Sequence, residues 1–143
     1  MINNEGAARL NESQRRHYEV LFAKLERNLV ELEAAARDDA DRTVLTVVES
    51  DLPARFTENA PAVITEARKQ LATLAQTLSL RPRTESRRRI CRALITSDLN
   101  GLTDATSARL RGFGAVDASI ATHLDPALEQ LRETVSRLAD LLA

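Results

Sequence analysis

The chain has 143 residues and little of what catalytic or cross-linked folds commonly use: one cysteine (Cys91), two histidines (His17 and His123), no tryptophan, four glycines and 3% aromatics. A single thiol excludes an intramolecular disulfide and every multi-cysteine zinc site. Histidines standing alone in sequence rule out the paired Glu-x-x-His motifs that hold metals in helical bundles. No glycine-rich turn follows a strand pattern, so a phosphate-cradling loop is absent. No apolar run approaches 18 residues, and no membrane contact is expected. The opening MINNEGAARL lacks a secretory pattern, so a cytosolic location is expected. Excess charge is missing too. Lys and Arg total 20 against 21 Asp and Glu, a net charge of −1, so any contact with nucleic acid must rest on a local patch.

What is present is 43% hydrophobic and 29% charged, ordinary for a globular protein. The length suits one domain and needs no disulfide or metal to hold a core. Only Lys24 and Lys69 are lysines, so arginine supplies nearly all the positive charge. That bias suits a GC-rich bacterial genome.

Helical periodicity fills the gaps between the few glycines and prolines. Tyr18, Leu21, Leu25, Asn28, Leu32 and Ala35 recur at three-four spacing, with Phe22 and Leu29 widening the stripe. Asn11 or Ser13 is the N-cap. In "RDDADRTVLTVVESDLP", TVLTVV is β-branched like a strand. No other stretch offers it a partner, so a helix is expected that continues the first or restarts near Asp41 and stops before Pro53. Asn59 and Pro61 mark the next start, followed by Ile64, Ala67, Leu71, Leu74 and Leu78. Thr84 is the expected cap of a helix through Ile90, Leu94, Ile95, Leu102 and Ala105, continuous across Gly101. "LRGFG" ends it, with Gly112 left-handed and Phe113 folded back. Asp125 and Pro126 open a last helix with Leu124, Leu128, Leu131, Val135, Leu138 and Leu142 in heptad register, and a short turn from Asp117 to His123 precedes it. Together these predict an all-α fold, an antiparallel up-down bundle of four long helices with short polar links. Residues 1–10 form a tail and 11–143 the domain.

No catalytic, cofactor-binding or metal-binding residues are expected. Cys91 falls within the Ile90–Leu94–Leu102 stripe, where a thiol acts as a small hydrophobe. Asp38, Asp39 and Asp41 resemble a calcium loop only superficially, since its glycine and final glutamate are missing. Two polar residues lie on apolar stripes. Asn28 can fix register or partner number. Asp98, between Leu94 and Leu102, needs a cation such as Arg109 if buried.

"RPRTESRRRICR" is the strongest local feature. Arg81 and Arg83 flank Pro82, while Arg88, Arg89 and Arg92 fall on one helical face, where cations oppose the macrodipole of a first turn. Solvent, an acidic protein patch or a phosphate backbone can each offset that cost. Asp38, Asp39, Asp41, Glu49 and Asp51 offer such a patch. No aromatic platform accompanies the arginines, so protein docking is favoured over nucleic acid. The sequence thus predicts a non-catalytic interaction or assembly subunit that binds another protein, or itself, through helical faces. The alternative is a small subunit contacting RNA or DNA phosphates through Arg81–Arg92.

Overall fold

The computed structural model describes residues 9–38 and 43–143. The expected tail lies outside them up to residue 8, as do Asp39, Asp41 and the restart near Asp41. The helices are α1 (Glu12–Ala36), α2 (Ala54–Thr77), α3 (Arg87–Thr103), α4 (Ser107–Leu110) and α5 (Ala118–Leu141), with a 3-10 turn at Arg111–Phe113. No strand occurs among the described residues, and the fold is all-α. Contacts divide the chain into two compact units, Met1–Arg83 and Thr84–Ala143.

In the first unit, α1 begins with a capping box. Asn11 Oδ1 accepts from the Gln14 N–H at 2.8 Å, and Gln14 Oε1 accepts from the Asn11 N–H at 3.0 Å. Its end is turned by Asp38 at φ 56°, a left-handed conformation that Asp tolerates better than most residues. Helix α1 packs against α2 through Leu29, Ala36, Ala60 and Ile64, with Phe56 and Ala67 alongside; Leu71 is also buried. The end of α2 closes with a Schellman turn, Leu80 N–H to the Ala75 carbonyl at 2.8 Å and Ser79 at φ 52°. Arg81 then returns to α1. Its Nη2 donates to Glu19 Oε1 at 3.1 Å and to Glu12, and its backbone N–H donates to Glu19 Oε2 at 3.2 Å.

Three expectations fail here. Helix α2 starts at Ala54, not at Asn59, so Pro61 lies inside it. Its missing N–H and ring cost helical stability, but Ala60 and Ile64 on either side are buried and packing holds the turn. Residues 43–53 are not helical, so neither the continued nor the restarted helix exists there. The Thr43 hydroxyl donates to the Thr46 carbonyl and accepts from its N–H, both at 3.2 Å, which satisfies locally the groups a helix would pair. Val44 is left 97% exposed. The link from α1 to α2 is therefore long.

The second unit pairs α3 with α5. Ser86, not Thr84, caps α3, its side chain accepting from the Arg89 N–H at 3.2 Å. The half-buried stripe is Cys91, Ile95, Leu99 and Leu102. Leu94 lies outside it, 62% exposed. The expected continuous helix stops at Thr103, and Gly101 is inside it; the break comes at Asp104–Thr106. Gly114, not Gly112, takes positive φ, at 140°, and Phe113 is exposed rather than folded back.

Helix α5 is one element from its cap Asp117, whose side chain accepts from the Ser119 N–H at 2.9 Å. Pro126 is internal to it. Asp125, expected to cap this helix, instead caps α4. Its carboxylate accepts from the Ser107 N–H at 2.9 Å and from the Ser107 hydroxyl at 2.6 Å. Those bonds, the hydroxyl first, hold the Asp125 carboxyl below its ordinary value, against a smaller opposing effect of burial. A lowered folded value means the contribution is complete above the ordinary aspartate value of about 4. It is lost as pH falls from there through the folded value. Hydrogen exchange at the Ser107 amide is therefore expected to lose protection on acidification below about pH 4, and Asp125→Ala is expected to lack that protection at neutral pH. Protection independent of pH in the native chain would contradict the capping role.

Candidate interaction surfaces

Each hairpin buries one stripe per helix and leaves a second apolar stripe open. On α1, Tyr18, Phe22, Leu29 and Ala36 point toward α2, while Leu21, Leu25, Leu32 and Ala35 are exposed. At 100° per residue the two stripes lie roughly 80° apart. Asn28 belongs to the exposed seam and is itself exposed. It is not a buried polar group. Leu32 and Val63 of α2 border an apolar depression of about 300 Å³ that reaches down to Leu29, Phe56 and Ile64.

Helix α5 repeats the pattern. Leu124, Leu128, Val135 and Leu142 of the expected heptad are half-buried toward the hairpin partner. Leu131, at 48% exposure, and Leu138 are not; with Ile120 they form a second seam. Its spacing is again three-four, roughly 50° from the first. Sequence periodicity merged the two stripes of each helix into one.

The arginine stretch is split between the units. Arg81 is committed to Glu19 and Glu12 in the first. The Arg81 bond, opposed by burial, holds the Glu19 carboxyl below its ordinary value, and the two carboxylates push the Arg81 guanidinium higher still. Arg83 is exposed at the end of that unit. In the second unit, Arg87, Arg88, Arg89 and Arg92 are exposed on α3 and enter none of the ion pairs found among the described residues. Arg89 and Arg92, with Ala93, Thr96, Ser97 and Asn100, line a shallow open depression of about 540 Å³. Asp98 is exposed, and Arg109 pairs with Asp104 at 3.8 Å instead. Asp98 is thus not buried, and the pairing with Arg109 that burial would have called for is not formed.

Cys91 is half-buried on the inner stripe of α3. No group of three or more metal-ligating side chains occurs among the described residues. No helix among them is long and apolar enough to cross a membrane. Comparison with protein-family models, with curated proteins and with solved structures finds no match to this chain.

Proposed function

We propose that this chain is a non-catalytic docking or assembly subunit whose exposed seams on α1 and α5 receive amphipathic helices, of a partner or of a second copy. One observation carries the reading: Leu21, Leu25 and Leu32 stand in helical register on α1, each about half exposed, and lead into the apolar depression beside Val63. A three-four seam beside a small apolar cavity is the geometry by which a groove accepts the anchors of another helix. Isolated exposed leucines need no explanation, but contiguous apolar patches mark interaction sites.

A photo-crosslinking residue at Leu25 or Leu131 tests this in the native host. Crosslinks to a protein are expected at both positions and not at Thr96 on the polar face of α3. Leu21→Asp with Leu32→Asp is expected to abolish the Leu25 crosslink while leaving the circular dichroism of the isolated chain unchanged. Crosslinks no more frequent at the seams than at Thr96 would refute the reading.

A phosphate-binding role rests on a separate observation, the depression lined by Arg89 and Arg92 with hydrogen-bonding Thr96, Ser97 and Asn100. It supplies two cations and no aromatic platform. Such binding would weaken with salt at a slope of about −0.9 per neutralised duplex phosphate.

A further inference from the structure

The last turns of α1, residues 48–52 and Thr57 line an open groove of about 660 Å³ in the first unit. Ser50 Oγ donates to Asp38 Oδ1 at 2.9 Å. That bond brings residues 48–52 back beside the last turns of α1. The groove has an apolar floor of Ala34, Ala35, Val48 and Leu52. Its rim carries Glu31, Asp38, Glu49 and Asp51, and no basic residue lines it among the described residues. Four carboxylates round an apolar floor repel one another and favour a cation that brings apolar surface with it.

The first turns of α3 carry that complement. Ile90 and Leu94 are exposed one turn apart, and on the helical wheel Arg87 and Arg89 flank Ile90 on opposite sides. These guanidiniums stand at a helix N-terminus, where the macrodipole disfavours cations, and carboxylates facing them would offset that cost. The volume fits a pair of anchoring side chains with their neighbours, not a whole helix.

We propose that the groove receives the arginine-bearing start of α3 from a second copy, Ile90 and Leu94 entering over the floor and Arg87 and Arg89 meeting the rim. Donor and acceptor are different surfaces, so two copies can exchange them reciprocally in a closed pair, or pass the contact from copy to copy into a ring or an open chain. It uses none of the seam leucines, sharing only Ala35 at the end of the α1 seam, and stands or falls independently of the proposed docking function.

Sedimentation of the full chain at low and high salt tests it. The native chain is expected to associate with rising concentration at low salt, at least tenfold more weakly at high salt, where charge is screened. Glu49→Arg with Asp51→Arg in one variant, and Arg87→Glu with Arg89→Glu in another, are each expected to abolish association. Mixing the two variants restores charge complementarity and is expected to recover it, unless the mixture also carries Leu94→Asp. Leu131→Asp with Leu138→Asp is expected to leave salt-sensitive association unchanged, which separates this contact from docking on the seams. A native chain that stays monomeric at low salt would overturn the proposal, as would a mixture that does not associate. So would arginines whose reversal removes only nucleic-acid binding.

Discussion

Replacing Ile64 by alanine is expected to destabilise the first unit by about 2–5 kcal/mol, the range for deleting a large aliphatic side chain from a packed site. Ile64 is only 4% exposed and stands among Leu29, Ala36, Ala60, Phe56 and Ala67. Three of those neighbours are alanines, with no flexible side chain to move into the vacated space. Domains of this size are stable by about 5–15 kcal/mol, so one truncation removes a large fraction of the total. Val63, the next residue, is 66% exposed, and Val63→Ala is expected to change stability by no more than about 0.5 kcal/mol. Urea unfolding of the two variants measures the contrast. Equal costs would mean that α2 packs through a different face.

The second large effect concerns affinity. Asn28 interrupts the exposed seam of α1 between Leu25 and Leu32. A polar residue at such a position weakens helix association but restricts register and partner number. If the seam docks a helix, Asn28→Leu is expected to tighten association by tenfold or more, about 1.4 kcal/mol, and to broaden the species formed. Sedimentation equilibrium at high salt, where the leucine seam remains active and charge contacts do not, reads both effects. Unchanged association would place Asn28 outside the docking surface. Loss of the fold would place it in the core, against its exposure.

Four long helices were legible in the sequence because three-four spacing survives any arrangement of neighbours. The face each helix buries was not. On α1 the apolar arc is broad enough to hold both Leu21–Leu25–Leu32 and Phe22–Leu29–Ala36, and periodicity alone cannot say which meets α2. Neighbouring alanines decided it: Ala36, Ala60 and Ala67 let the backbones approach beside Leu29 and Ile64. Pro61 and Pro126 misled because proline is common at a first helical position; both instead lie within helices, at an energetic cost. The valines and leucines of residues 44–52 also fit a helical wheel, but local hydroxyl bonding at Thr43 and β-branched side chains compete with it. The arginines were visible as a cluster. Their division, Arg81 bound to α1, Arg83 exposed at the end of the first unit and the others on α3, depends on where one unit ends and was not visible.

The uncovered residues from Val44 to Val47 also bear on how this chain behaves at high concentration. Val44, Leu45 and Val47 are almost fully exposed, in a β-branched stretch whose backbone has no ladder partner. Such a stretch is a template on which identical chains can stack into cross-β fibrils. Glu49, Asp51 and Pro53 follow immediately. Stacked in register, the two carboxylates repel their copies and the proline offers no N–H to the next strand. These residues stand where gatekeepers stand, and neutralising Glu49 and Asp51 is expected to favour fibril formation as well as to remove the rim of a groove.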